Sequence, residues 1–184
     1  MPANVGDPSR ALTVMCPVHP DKVESLKDCL HALKRGEEGP LATGTTHLGR
    51  WVVIEQIDDK DGDPTSDRLS CPYLLFSSNI DGDVEAYLRT LCDSKEGSKE
   101  VRRIWGHCIG FPANDDTDSL VAYLLHNRIR TNFFFTPYPE ATVEDIRHSL
   151  GLRKRFIDFA VRAQTMDAET IMRSFRDQFK ELTP

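Results

Sequence analysis

Trp51-Val52-Val53-Ile54 and Tyr73-Leu74-Leu75-Phe76-Ser77-Ser78 are two runs of β-branched, aromatic and aliphatic residues. Between them lies an acidic stretch, Asp58 to Asp67, that contains Gly62 and Pro64. Apolar runs of this kind bounded by Gly, Pro and Asp read as strands, and the punctuation reads as a connection. Residues 45–78 are therefore expected to form one long hairpin. Upstream, Ala11 to Met15 is a short strand ended by Pro17, and residues 1–10 form a frayed tail. Val23, Leu26, Leu30 and Leu33 then recur at spacings of three and four. That is one face of a helix, with Asp21 as its cap and Gly36 near its end.

Downstream, Asp81-Gly82-Asp83 turns the chain into a helix with Val84, Tyr87, Leu88 and Leu91 on one face. Ser94 to Arg103 is charged and reads as a loop or helix end. Ile104-Trp105-Gly106-His107-Cys108-Ile109-Gly110-Phe111-Pro112 follows as an inserted segment. Asn114 to Asp118 is a cluster of capping residues before a helical patch from Leu120 to Leu125. Thr131-Asn132-Phe133-Phe134-Phe135-Thr136 is expected to be the last strand, stopped by Pro137 and Pro139. Thr142 and Asp145 signal the start of a helix carrying Val143, Ile146 and Leu150, which Gly151 kinks or interrupts. Ile171, Phe175 and Phe179 mark a final helix. The order β-α-β-β-α-(insert)-β predicts an α+β domain of the ferredoxin-like, split βαβ kind: a four-stranded antiparallel sheet with helices on one face. The expected domains are a tail at 1–10, the α+β domain at 11–140, and C-terminal helices at 141–184 packed on it. The other sheet face needs a cover. A second copy supplies it in a homodimeric α+β barrel; the alternative is the chain's own C-terminal helices.

The totals bound the function. With 184 residues the chain has room for a sizeable core, and 39% hydrophobic with 28% charged residues is a globular composition. A net charge of -6 argues against a nucleic-acid footprint, which needs a basic patch. Arg153-Lys154-Arg155 lies in a helical pattern beside Glu144, Asp145 and Asp158 and reads as a solvated face. Five cysteines without a CxxC pair fit free thiols in a reducing compartment. Residues 1–10 lack the apolar region of a signal peptide, and no run approaches a membrane span, so the expected location is cytoplasmic, away from membranes.

Few residues carry candidate chemistry. On the second strand, parity puts His47, Gly49 and Trp51 on one face and Arg50 on the other; only a bulge at Gly49 would unite His47 with Arg50. His47 is a candidate proton carrier, with a bonded strand histidine as the alternative. Asn79, in Ser77-Ser78-Asn79-Ile80-Asp81-Gly82, is a candidate pocket residue at a strand end that otherwise reads as a turn. Adjacent in sequence, His107 and Cys108 diverge in extended structure and are no nucleophile–base pair; neither has metal-ligand spacing, and no metal site is expected. His107 and Trp105, flanked by Gly106 and Gly110, are candidates for a pocket lip. Asn132 and Phe134 complete the set, although the three phenylalanines at 133–135 read first as core.

Four runs resemble one family: Thr46-His47-x-x-Arg50-Trp51, Leu75-Phe76-Ser77-Ser78-Asn79-Ile80-Asp81-Gly82, Ile104-Trp105-Gly106-His107-Cys108 and Phe134-Phe135-Thr136-Pro137-Tyr138-Pro139. They are similar to an uncharacterised group of peroxidase-related proteins in the dimeric α+β barrel superfamily, over residues 11–160. The resemblance implies a ferredoxin-like fold and, more distantly, kinship with dye-decolorising peroxidases and chlorite dismutases, which hold haem. Those peroxidases carry Gly-x-x-Asp-Gly, of which only Asp81-Gly82 stands here, and two ferredoxin-like units per chain where this sequence has one.

Three functions are compatible with these residues. The first is an enzyme for a small apolar organic substrate without a tightly bound cofactor. In it His47 or His107 is the acid/base, Asn79 or Arg50 stabilises an oxyanion, and Trp105, Asn132 and Phe134 help hold the substrate. The second is a haem protein with peroxidase-like chemistry, with His107 or His126 on the iron and Arg50 or Asp81 on the distal side. The third is a non-catalytic ligand-binding or interaction module.

Overall fold

A computed structural model describes residues 9–33, 41, 43–56, 69–114 and 116–180. Most of the expected tail, the helix end at Gly36 and the acidic connection at 58–67 lie outside these residues. The chain divides into two compact units, with the boundary between Val143 and Glu144.

The first unit is built on four strands: β1 (Ser9–Pro17), β2 (Thr46–Ile54), β3 (Tyr73–Asp81) and β4 (Arg128–Ile129). Their order is β2-β3-β1-β4 and every neighbouring pair is antiparallel. Helices α1 (Val23–His31), α2 (Val84–Asp93), α3 (Lys95–Trp105) and α4 (Thr117–His126) fill the intervals. Strand parity separates two sheet faces. Leu12, Val14 and Cys16 of β1 and Leu74, Phe76 and Ile80 of β3 are buried with Leu26, Leu88, Leu91, Ile104 and Leu124 in one core. Burying each such side chain is worth about 1.5–3 kcal/mol, so this face fixes the sheet's register. The opposite face carries Ala11, Thr13 and Met15 of β1, Leu75, Ser77 and Asn79 of β3, and Leu48, Arg50 and Val52 of β2. No helix of the first unit covers it, and Leu48, Val52 and Ile129 are exposed there.

Helices α2, α3 and α4 start at capping residues, whereas α1 follows a 3-10 turn at Pro20–Lys22 with no side-chain cap, so Asp21 does not cap it. Asp83 accepts from the backbone N–H groups of Glu85 and Ala86 at 2.9 and 3.0 Å, and Asp116 accepts from Ser119 N–H. Ser94, within the expected loop, is instead the N-cap of α3 and accepts from Gly97 N–H at 3.0 Å. The charges of residues 95–103 point outward while Gly97, Val101, Ile104 and Trp105 are buried, so this segment is a helix and not a loop.

Two further expectations are corrected. Residues 131–136 form no strand: the fourth strand is the two-residue β4, paired with Thr13 and Val14, and Phe133 and Phe135 are 82% and 74% exposed. A run with high β-propensity becomes a strand only where a ladder partner is in reach. The chain leaves α4 at Asn127, whose carbonyl accepts from Met15 N–H at 3.0 Å, so its pairing with β1 starts and ends early. Nor is the segment after Trp105 a free insertion. Trp105 ends α3, and Cys108 bridges to Val18 beyond the end of β1, with Ile109 N–H donating to Pro17 O at 2.8 Å.

Helix α5 (Val143–Ala163) begins with the last residue of the first unit, and the rest of it forms the second unit with α6 (Ala168–Gln178). α5 runs through Gly151 without interruption. Phe156, Phe159, Phe175 and Phe179 form its aromatic cluster, and the Arg155 guanidinium lies over the Phe179 ring at 5.3 Å.

Candidate functional site: a histidine–aspartate pair at a strand bulge

The pairing of β2 with β3 slips once. Thr46 opposes Ile80 but Leu48 opposes Asn79, leaving His47 as the extra residue of a bulge. Thr46 is held on the core side, where its Oγ1 lies 3.1 Å from the Tyr87 hydroxyl and 3.0 Å from Thr43 Oγ1. Beyond the bulge, Ser78 Oγ donates to Leu48 O at 2.8 Å and locks the new register. The bulge thus lies at His47 and not at Gly49. It turns the imidazole toward Asp81, on the face that Asn79 and Arg50 also occupy.

Asp81 ends β3, and Gly82 takes a φ of +81° that only glycine adopts without strain, leading into the Asp83 cap. One carboxylate oxygen, Oδ1, lies 2.6 Å from His47 Nε2, while Oδ2 accepts from Val143 N–H at 2.8 Å. The side chains are 17% and 13% exposed. An ionised carboxylate only accepts, so Nε2 carries the hydrogen and Nδ1 is the basic nitrogen. Among the described residues Nδ1 takes no hydrogen bond. Ser9 Oγ is 3.3 Å from the same Nε2. That rules out a serine-nucleophile relay, in which hydroxyl and carboxylate sit on opposite ring nitrogens.

Arg50 Nε donates to Ser77 Oγ at 3.0 Å across the strand pair, and Asn79 stands two residues before Asp81 on the same face. His47, Asn79 and Arg50 therefore share the sheet face opposite the first unit's core, toward one end of the β2–β3 ladder.

The other candidates lie elsewhere. His107 is near Pro17, at the far end of the nine-residue β1 from Ser9, on the order of 25 Å away at about 3.3 Å per residue. Both its ring nitrogens are engaged: Nδ1 with Ile104 O at 3.1 Å and Nε2 with Ser25 Oγ at 3.0 Å. It ties α3 to α1 and does not approach β2 and β3. Trp105, expected at a pocket lip, is 1% exposed, packed edge-on against Phe76 at 5.4 Å. Asn132 is exposed and Phe134 half-buried in the irregular 131–136 segment, and His126 is exposed at the end of α4. Cys108 is a buried thiol, hydrogen-bonded with Cys16; that bond first, and burial second, hold its pKa far above the ordinary value.

A second concave feature lies on the helix side. Lys27, Leu30, His31 and Leu33 of α1 and the residues after it face Trp51 and Val53 of β2 around a cavity of about 420 Å³. Sequence reasoning missed it. Its only signals were the shared parity of Trp51 and Val53 and the one-turn spacing of Lys27 and His31.

Among the described residues no group of three or more His, Cys, Asp or Glu side chains could hold a metal ion. The residues named for haem do not fit one group. His107 and His126 are on the helix side of the sheet and Arg50 and Asp81 on the other, so the two sets cannot flank one iron. No described helix is long and apolar enough to cross a membrane. No family model, curated protein or solved structure matches the chain.

Proposed function

We propose that the protein is an acid/base enzyme for a small, largely apolar organic substrate bound over the sheet face opposite the first unit's core. The observation that carries this reading is the His47–Asp81 pair, 2.6 Å apart and largely shielded from solvent, with the second carboxylate oxygen pinned by a backbone N–H. A carboxylate on Nε2 orients the imidazole, keeps Nδ1 as the proton acceptor and stabilises the imidazolium once the proton has moved. His47 is then the base. The Arg50 guanidinium and the Asn79 amide are donors for oxyanion or enolate charge that develops on the substrate. Apolar Leu48, Val52 and Leu75 offer the surface for its body.

The strand order and the antiparallel pairing support a ferredoxin-like assignment, and the peroxidase-related family remains the proposed kin. On this reading two copies close a barrel over the sheet face opposite the core. The exposure of Leu48, Val52 and Ile129 on that face supports it.

The test is α-proton exchange of 2-indanone, an apolar ketone, followed in D2O by loss of its CH2 signal. Positioned acid/base groups contribute about 10²–10⁴-fold, so His47→Gln is expected to bring the rate near background while His107→Gln leaves it unchanged. Exchange by His47→Gln at the wild-type rate, or no exchange above buffer in the wild type, overturns the reading.

A further inference from the structure

We infer that the cavity between α1 and β2 is a separate binding site for a neutral, ring-bearing apolar molecule. Its volume of about 420 Å³ is that of a small-ligand site. Four of its six lining residues, Leu30, Leu33, Trp51 and Val53, are apolar and pack on the core. Its floor is preformed: Trp51 stacks on Phe76 at 5.0 Å and meets Trp105 edge-on at 6.1 Å, and both partners are fully buried. The indole therefore cannot fold inward to close the hollow.

The rim sets the ligand's charge. Lys27 Nζ lies between Glu24 at 2.9 Å and Glu55 at 2.6 Å, so two carboxylates surround one ammonium and the local balance is negative. An anionic ligand meets repulsion there and finds the lysine already paired. The ring of His31, one turn further along α1, makes no hydrogen bond among the described residues, which leaves it for a hydroxyl or carbonyl on the ligand's edge. Trp51 and Val53 leave β2 on the helix side, and His47 and Arg50 on the other. This site and the acid/base face thus stand or fall separately.

1-Naphthol, a neutral ring system with one hydroxyl, is the probe. The chain has two tryptophans, so ¹⁵N-labelled protein gives two indole N–H signals, with that of Trp51 assigned by Trp51→Phe. A saturable shift is expected, larger at Trp51 than at Trp105. Val53→Phe, which fills the hollow, is expected to weaken binding about tenfold or more, as is replacing the probe by the anionic 1-naphthoate. If Val53→Phe does not fold, Leu30→Phe serves the same purpose from the helix side. His47→Gln is expected to bind 1-naphthol as the wild type does, and the filled variant to keep any 2-indanone exchange. Absence of a saturable Trp51 shift, unchanged binding in the filled variants, or equal binding of 1-naphthoate overturns the proposal.

Discussion

Asp81 serves two acceptor roles at once, and its substitution separates them. Asp81→Ala leaves Val143 N–H without its partner and the His47 imidazole with only the Ser9 hydroxyl, and is expected to cost about 1–3 kcal/mol in urea unfolding. Asp81→Asn keeps one oxygen acceptor and is expected to cost less; equal losses for the two variants would remove the pinned-carboxylate argument. A second residue-scale outcome concerns Cys92, which is 2% exposed. Burial first, then the Asp93 charge, push its thiol up from 9.0 to about 11. The unfolded chain releases this proton near pH 9.0 while the folded chain holds it to about pH 11. Folded protein thus binds more protons in that window, and stability falls as pH rises through it, with no such slope below. Urea melts across this range are expected to show a shallower decline for Cys92→Ala than for the wild type. The sequence made His47 a candidate but gave no hint of Asp81 as its partner. The two are 34 positions apart, and ordinary strand parity would have sent the imidazole to the other face.

At the scale of elements, the hairpin was legible because apolar residues recur with period two, and α2 because Asp83 precedes a 3.6-residue apolar pattern. α3 was not, because its charges outnumber its apolar residues and only their angular placement makes one side buried. The turn into α3 depends on Gly97: a Cβ built there would stand 2.1 Å from Leu91 O, a backbone atom that cannot step aside cheaply. Gly97→Ala is expected to cost about 1–3 kcal/mol through forced repacking, measured by thermal or urea unfolding; a neutral result would show that the α2–α3 turn yields more readily than its packing indicates. The fourth strand was misplaced for a different reason. Three consecutive phenylalanines carry β-propensity, yet pairing was captured by Arg128 and Ile129, which the exit from α4 delivers to β1 first.

At the scale of the whole molecule, the sheet face opposite the core carries both the His47–Asp81 pair and the exposed apolar side chains of Leu48, Val52 and Ile129. If a second copy covers it, light scattering is expected to give a dimer, and Leu48→Glu or Val52→Glu is expected to yield a folded monomer with unchanged far-ultraviolet circular dichroism. A monomeric wild type would set the barrel aside while leaving the His47–Asp81 pair intact. The sequence by itself determined the α+β class, the hairpin, the starts of α2, α4 and α5 and the core face of the sheet, since each depends on residue periods and caps that act over a few positions. Tertiary structure alone decided which polar residues share a face, that His107 is a structural tie, and that a hollow opens between α1 and β2. Those outcomes depend on one bulge and on how long-range surfaces meet. A one-residue slip inverts every side chain beyond it, and no local pattern records where the slip occurs.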